Sequence, residues 1–65
     1  MNASEQIREA LAERPLTVNE IFEETGIADI SIRRILGTAI AFGAVTAKRN
    51  PGSRLLRYEL DKMLL

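Results

Sequence analysis

The sequence predicts a small α+β domain in which three short helices are followed by a β-hairpin. Apolar residues recur at helical spacing in three segments, and each segment begins beside a residue type that caps helices. Gly26 and Gly43 follow the second and third segments, where a left-handed residue commonly ends a helix. After Gly43, two runs of alternating apolar and polar residues surround the sequence NPGS, which indicates two strands and their loop.

The first helix is predicted at about residues 3–13. Its apolar stripe begins at Ile7, and its charged residues fall away from that stripe. Asn2 and Glu5 have the spacing of a capping box, and Pro15 prevents the helix from continuing. These signals place a helix with one apolar face at the start of the chain.

The second helix is predicted at about residues 18–25. Thr17 and Glu20 form the capping box T-x-x-E directly before an apolar run. Leu16 precedes this cap, and we expect it to pack against Ile21 at the fourth helical position. The helix is short, and it ends before a glycine turn that leads to the third helix.

The third helix is predicted at about residues 30–42, with Asp29 as its N-cap. A rotation of ~100° per residue places its larger apolar residues on one broad face. The opposite face is centred on Arg34 and Ala41, and Gly37 lies beside them. A glycine inside a helix destabilises it by up to about 1 kcal/mol relative to alanine, so a close approach to this face is one explanation for it.

The hairpin is predicted at about residues 44–49 and 54–60. Proline followed by glycine suits a type II turn, which does not match the twist of a tight two-residue hairpin. The loop is therefore expected to have four residues or more, with 50–53 at its tip. The expected core consists of Ile7, Leu11, Leu16, Val18, Ile21, Phe22, Ile27, Ile32, Leu36, Ile40, Val45, Leu56, Tyr58 and Leu60.

Composition limits the possible functions of these 65 residues, which we interpret as a single domain, 1–65. The chain has no cysteine and no histidine, so disulfides, Cys/His zinc sites and Ser–His or Cys–His catalysis are excluded. No nucleophile–base pair or phosphate loop is recognisable, and we expect neither enzymatic activity nor a cofactor or small-molecule substrate. No apolar run suits a signal peptide or a membrane span, and a cytoplasmic location is expected.

Charge is distributed unevenly along the chain although the net charge is zero. Residues 1–30 carry two basic and seven acidic side chains, which gives −5. Residues 31–65 carry seven basic and two acidic side chains, which gives +5. If the fold keeps the halves apart, one face is basic and attracts phosphate; if the charges mix in space, no such face exists.

The segment LTVNEIFEETGIADISIRRILGTAIAFGAVTAKRNPGSRLLRYEL resembles the winged helix-turn-helix superfamily. The turn glycine, the cap, the x-R-R-x-L pattern and the glycine–apolar–valine exit toward the first strand carry this resemblance. It implies that the third helix enters the major groove of double-stranded DNA and that the hairpin, the wing, contacts phosphates. It also implies a nucleoid-associated protein that regulates transcription or assists DNA processing.

The resemblance places the DNA-binding residues on two elements. On the third helix they are Ser31, Arg33, Arg34 and Thr38, and around the wing they are Lys48, Arg49 and Arg54. Arg57 is added because these four wing cations lie within ten residues that contain no acid. Arginine binds guanine or phosphate, whereas the competing interpretation is an ordinary solvated helix face. Asp29 lies four residues before Arg33 and can pair with it, so Arg34 is the stronger candidate. Basic residues on an edge strand can also serve only to prevent aggregation.

The alternative function is a protein–protein interaction module with the same fold and no DNA contact. Zero net charge and the small residues Gly37 and Ala41 on the outward helix face favour it. A single module of this size contacts little DNA, so useful specificity would need a homodimer or a second module. The apolar tail, Met63 to Leu65, or the helix faces are the candidate dimer contacts.

Overall fold

A computed structural model describes residues 2–61, and it consists of three helices followed by a two-stranded antiparallel hairpin. This order confirms the predicted fold class. Helix α1 packs against α2 and the hairpin, and α3 packs against α2 and the first strand. The elements are α1 Ala3–Glu13, α2 Val18–Thr25, α3 Asp29–Ala41, β1 Val45–Arg49 and β2 Leu56–Leu60. The predicted tail contacts at Met63, Leu64 and Leu65 lie outside the described residues.

Side-chain caps fix the start of α1 and α2. The backbone N–H of Glu20 donates to Thr17 Oγ1 at 3.1 Å, and the Thr17 N–H donates to Glu20 Oε1 at 2.8 Å. This reciprocal pair is the capping box that the sequence predicted. At α1 the Glu5 N–H donates to Asn2 Oδ1 at 2.9 Å, but the Glu5 carboxylate meets the Asn2 side-chain amide, so only half of that box forms.

The start of α3 differs from the sequence prediction. Asp29 is the first residue of the helix, and Ala28 occupies the N-cap position without any side-chain capping bond. The prediction that Asp29 is the N-cap is therefore wrong. Its carboxylate turns instead toward Arg33, one turn further along α3. A carboxylate in the first turn still interacts favourably with the helix dipole, so the residue type suits either position.

A glycine turn ends α3 and directs the chain into the hairpin. Gly43 has φ +78°, which is the left-handed conformation that glycine adopts without strain. Its N–H donates to the Ile40 carbonyl at 3.0 Å, and the Ala44 N–H donates to the Ala39 carbonyl at 2.9 Å. This pair of bonds is a Schellman motif, and it satisfies carbonyls that the end of the helix would otherwise leave free.

The sheet contains one pairing that the sequence did not indicate. In the hairpin, Ala47 faces Tyr58 across the antiparallel ladder. On its other edge Tyr58 pairs with Leu16: the Leu16 N–H donates to the Tyr58 carbonyl at 3.1 Å, and the Tyr58 N–H donates to the Leu16 carbonyl at 2.7 Å. The residue before the α2 cap therefore ties the helices to β2, which lies between Leu16 and β1.

The loop of the hairpin extends beyond the four residues predicted for its tip. The Ser53 N–H donates to the Asn50 carbonyl at 3.0 Å, and Gly52 has φ +80°. These features fit the predicted type II turn with Pro51 and Gly52 at its centre. The Ser53 hydroxyl then accepts a hydrogen bond from the Leu55 N–H at 3.1 Å, so Leu55 belongs to the loop and not to the strand. The second strand consequently begins at Leu56, later than the predicted residue 54.

The core forms where the three helices and the first strand meet. Its buried residues are Ile7, Leu11, Leu16, Val18, Ile21, Ile32, Leu36 and Val45. Of the other residues predicted for the core, Ile27, Tyr58 and Leu60 pack against it at partial exposure, and Leu56 is also half-buried. Two predictions are wrong, because Phe22 is 47% exposed and Ile40 is 41% exposed. Both lie on the flank of an apolar face, where helical periodicity alone does not decide burial.

Candidate nucleic-acid interface

The outward face of α3 is exposed along its length. Burial of Ile32 and Leu36 fixes the rotation of the helix, because both side chains belong to the core. At ~100° per residue, that rotation directs the opposite side of the helix away from the protein. The residues on this side are Ile30, Arg34, Gly37, Thr38 and Ala41, and all of them are exposed. We call this set the outward face.

Arg34 lies at the centre of the outward face and is exposed. Among residues 2–61, no carboxylate lies within ion-pair distance of its guanidinium and no hydrogen bond holds it. Ile30 and Thr38, its neighbours one turn away in each direction, carry no charge. The Arg34 guanidinium is therefore available to a ligand that approaches this face.

Arg33 has a different environment on the flank of α3. Its Nε donates to Asp29 Oδ2 at 2.9 Å, although both side chains are well exposed, at 65% and 61%. This hydrogen bond, followed by the charge of the carboxylate, raises the pKa of the Arg33 guanidinium. Arg33 stays cationic, but its charge is partly neutralised by Asp29. The four-residue spacing predicted this pairing, which makes Arg33 a weaker candidate than Arg34.

Ser31, Thr38 and Gly37 complete the predicted contacts of α3. Thr38 is exposed on the outward face, whereas Ser31 is half-buried on the opposite flank from Arg33. A Cβ built on Gly37 meets no atom within 4 Å. Packing among the described residues therefore does not require a glycine here. Close approach of another molecule remains a reason for it, as the sequence analysis suggested.

The four cations of the hairpin fall into two groups. Lys48 Nζ lies 3.2 Å from Glu59 Oε2, and Arg57 lies near enough to Glu20 to help lower the pKa of that carboxyl. Arg49 and Arg54 are exposed, and neither forms an ion pair with a described residue. The alternation of the ladder places Lys48 and Arg57 on one face of the hairpin and Arg49 on the other.

A cleft brings α3 and the hairpin loop together. It has a volume of about 480 Å³ and lies between the start of α2, the start of α3 and residues 54–58. Arg33 and Asp29 line it from α3, and Arg54 lines it from the loop. Cationic groups of the helix and of the hairpin therefore lie on the same side of the molecule.

Solved structures share this arrangement of helices and hairpin. Adhesin competence repressor (AdcR) from Streptococcus pyogenes superposes with a TM-score of 0.88 over 97% of this chain and 48% of that chain. The fold is a winged helix-turn-helix. The identity to that repressor is 16%, so the likeness concerns the fold alone. In the terms of this fold, α2 and α3 form the helix-turn-helix unit and the β1–β2 hairpin is the wing.

Two further solved structures are similar to this chain. A variant of ZitR from Lactococcus lactis has a TM-score of 0.81 at 18% identity, over 97% of this chain and 44% of that chain. A chain of HOP2, described by its DNA recognition and protein interaction domains, has a TM-score of 0.73 at 21% identity, over 92% of this chain and all of that chain. The chain thus spans about half the length of the AdcR and ZitR chains. No protein-family model matches the sequence, and no curated protein matches it.

Charge is only partly separated in this winged helix. Arg14 pairs with Glu24 at 2.8 Å and with Glu20 at 3.7 Å, which neutralises part of the acidic side of α2. The Asp29–Arg33 pair, in contrast, joins the acidic first half of the sequence to the basic second half. The outward face carries one cation, Arg34, and no acidic residue.

Sequence reasoning missed the apolar walls of the cleft. Phe22 and Leu55 line it, and both are exposed. The available signal was the pair Leu55–Leu56, which breaks the alternation of the second strand and places one leucine outside the core. Residues 2–61 contain no cluster of three or more acidic, histidine or cysteine side chains suited to a metal ion. Within the same range, no helix is long and apolar enough to cross a membrane.

Proposed function

We propose that this chain is a non-catalytic double-stranded DNA-binding module that places α3 in the major groove and the wing on the phosphate backbone. The observation that carries the proposal is Arg34, an exposed arginine at the centre of the outward face with no acidic partner among residues 2–61. A guanidinium in that position suits bidentate contact with guanine or with a phosphate. The α3 helix has 13 residues, and the major groove of B-DNA is wide enough to admit an α-helix.

The wing contributes Arg54 at the cleft where Arg33 of α3 lies. Arg49 and Arg54 have no ion-pair partner among the described residues, so phosphate contact does not require an existing pair to break. Lys48 and Arg57 have acidic neighbours and would contribute less. Arg33 would lie next to a phosphate while Asp29 keeps its guanidinium oriented, and Ser31 and Thr38 would add hydrogen bonds at the edges of the contact.

The similar structures support the same proposal. AdcR is named as a repressor, and HOP2 is described by a DNA recognition domain. We therefore propose a role in transcriptional regulation or as an accessory in DNA processing. Because useful specificity from so small a module needs a second one, we also propose that it acts as a homodimer or within a longer chain.

One observation favours a second candidate function, a protein-interaction module. Ile30 lies on the outward face and is 68% exposed, so this face offers an apolar side chain beside Arg34. Together with the zero net charge, it suits contact with an apolar surface of another protein. The two functions respond differently to salt, since counterion release makes phosphate binding steeply salt-dependent and apolar contact does not share this dependence.

Fluorescence anisotropy with a labelled mixed-sequence duplex tests the proposal. At about 50 mM salt we expect binding in the micromolar range, and at about 200 mM salt we expect it to weaken at least tenfold. Excess unlabelled duplex should compete, and an acidic polypeptide of equal charge should compete less well. Absence of binding at the lower salt would contradict DNA binding and would favour the protein-interaction function.

A further inference from the structure

The cleft beside the wing contains an open strand edge. In the β1–β2 ladder, Tyr58 directs its N–H and carbonyl away from β1, because both groups bond to Leu16. Backbone groups in an antiparallel ladder alternate in direction, so Leu56 directs its own N–H and carbonyl to the same side as Tyr58. Asp61 lies three residues after Tyr58, so its backbone groups should point the opposite way, toward the first strand. The Asp61 N–H does bond to the Ala44 carbonyl, at 2.9 Å, which confirms the alternation.

Among residues 2–61, no strand residue faces Leu56 on that side. The chain that pairs with Tyr58 through Leu16 turns into α2 at Val18, which is where the partner of Leu56 would otherwise lie. The space beside Leu56 is instead the cleft of about 480 Å³. This volume is within the ~300–1,000 Å³ that is usual for ligand clefts. One backbone donor and one acceptor of β2 are therefore presented to a concave surface.

The walls of the cleft are suited to the side chains of an extended peptide. Phe22 is 47% exposed and Leu55 is 63% exposed, and both line the cleft. Arg54 adds a cation that forms no ion pair with residues 2–61. Arg33 also lines the cleft, but its charge is shared with Asp29. The cleft thus combines backbone hydrogen-bonding groups, apolar walls and one uncompensated positive charge.

We propose that this cleft binds an extended peptide segment of a partner protein, which adds to β2 as a strand and alternates apolar with acidic side chains. Backbone bonds to Leu56 hold the segment, apolar side chains lie against Phe22 and Leu55, and an acidic side chain pairs with Arg54. This is the recognition mode in which an edge strand supplies affinity and alternate side chains supply specificity. The outer edge of β1 carries the charged residues Lys48 and Arg49, which oppose strand addition.

The cleft lies outside the outward face of α3, although it shares Arg33 and Arg54 with the proposed DNA contacts. The inference does not rest on DNA binding. Selection from a random-peptide display library against the immobilised protein tests it first. We expect the enriched peptides to alternate apolar and acidic residues. Failure of any peptide to enrich above an unrelated immobilised protein would overturn the proposal.

Binding of an enriched peptide is then measured by anisotropy against three variants. Leu56→Pro removes the N–H at the open edge without removing a bond to β1, and Arg54→Glu reverses the charge of the wall. We expect each to weaken binding by roughly tenfold, whereas Arg49→Glu, the same charge reversal outside the cleft, should change it less than about twofold. Equal losses in Arg54→Glu and Arg49→Glu would overturn the proposed site.

A modified peptide keeps the test independent of how the variants fold. N-methylation of alternate backbone amides blocks ladder bonds in one phase and leaves the side chains unchanged. On the unaltered protein, one phase of methylation should abolish binding and the other should have little effect. Equal binding by both methylated peptides would contradict strand addition.

Discussion

Arg33 and Asp29 lie one turn apart at the start of α3, with 2.9 Å between Arg33 Nε and Asp29 Oδ2. Arg34, the next residue, has no such partner among residues 2–61. Two adjacent arginines therefore differ in how much charge they offer to a ligand. The difference arises because Asp29 occupies the first helical position rather than the N-cap, so its carboxylate faces along the helix.

Asp29→Asn is expected to strengthen duplex binding by about two- to tenfold at low salt, since it leaves Arg33 unpaired and removes one negative charge near the DNA. The salt dependence should become steeper by up to about one released counterion. Anisotropy titrations at several salt concentrations measure both changes. Glu9→Gln makes the same charge change on α1 and is the control. Equal strengthening in the two variants would show that net charge, and not the freed Arg33, is responsible.

Gly37→Ala is expected to raise the free energy of unfolding by about 0.5–1 kcal/mol, because alanine favours the helix and a Cβ meets no atom within 4 Å. Urea unfolding followed by circular dichroism measures this change. If DNA approaches the outward face closely, the same variant should bind a duplex more weakly despite its greater stability. A variant that is more stable and binds equally well would show that nothing approaches Gly37.

Thr17→Ala is expected to lower the free energy of unfolding by about 1–2 kcal/mol, because it removes the side-chain acceptor of the α2 capping box. Thr17 is also buried, and it lies between Leu16 and the first turn of α2. Thr46→Ala, an exposed threonine on β1, is the matched control and should change stability much less. A loss of similar size in both variants would contradict the importance of the cap.

Acid is expected to destabilise the fold partly through Glu20. The hydrogen bond from the Thr17 backbone N–H holds the pKa of the Glu20 carboxyl below its ordinary value of 4.5. A carboxyl with a lowered folded pKa stabilises the protein above that ordinary value, and this stabilisation is lost as the pH falls through the folded pKa. Glu20→Gln should therefore lose less stability than the unaltered protein between about pH 5 and about pH 2. Parallel urea curves measure the difference, and an identical loss would remove Glu20 from the explanation.

The order of elements was predictable because local signals decide it. Thr17 with Glu20 marks the start of α2, and Gly26 and Gly43 mark the ends of α2 and α3, since glycine adopts positive φ without strain. The alternation around Pro51 and Gly52 likewise indicated a hairpin. Each of these signals acts within a few residues, so a single sequence contains all the information that is needed.

Features that depend on tertiary packing were not predictable. The Leu16–Tyr58 pairing joins residues distant in sequence. Leu16 is a single residue between Pro15 and the helix cap Thr17, so it shows no alternating pattern that would indicate a strand. Phe22 was expected in the core, but no element within residues 2–61 covers it on the side where the cleft opens. The outward face could be predicted from helical rotation, whereas the cleft depends on how the loop of the wing lies against α2 and α3. The individual DNA contacts stay predictions.

The measurement that tests the central claim most directly compares Arg34→Ala with Arg8→Ala in duplex binding. Arg8 is an exposed arginine on α1 beside Ile35 and Ala39, away from the outward face. Each variant replaces one arginine by alanine, so the two variants have the same net charge. If the outward face of α3 contacts DNA, Arg34→Ala should weaken binding by about 5- to 100-fold, the equivalent of about 1–3 kcal/mol. Arg8→Ala should weaken it less than about threefold. Equal weakening by the two variants would contradict the proposed interface.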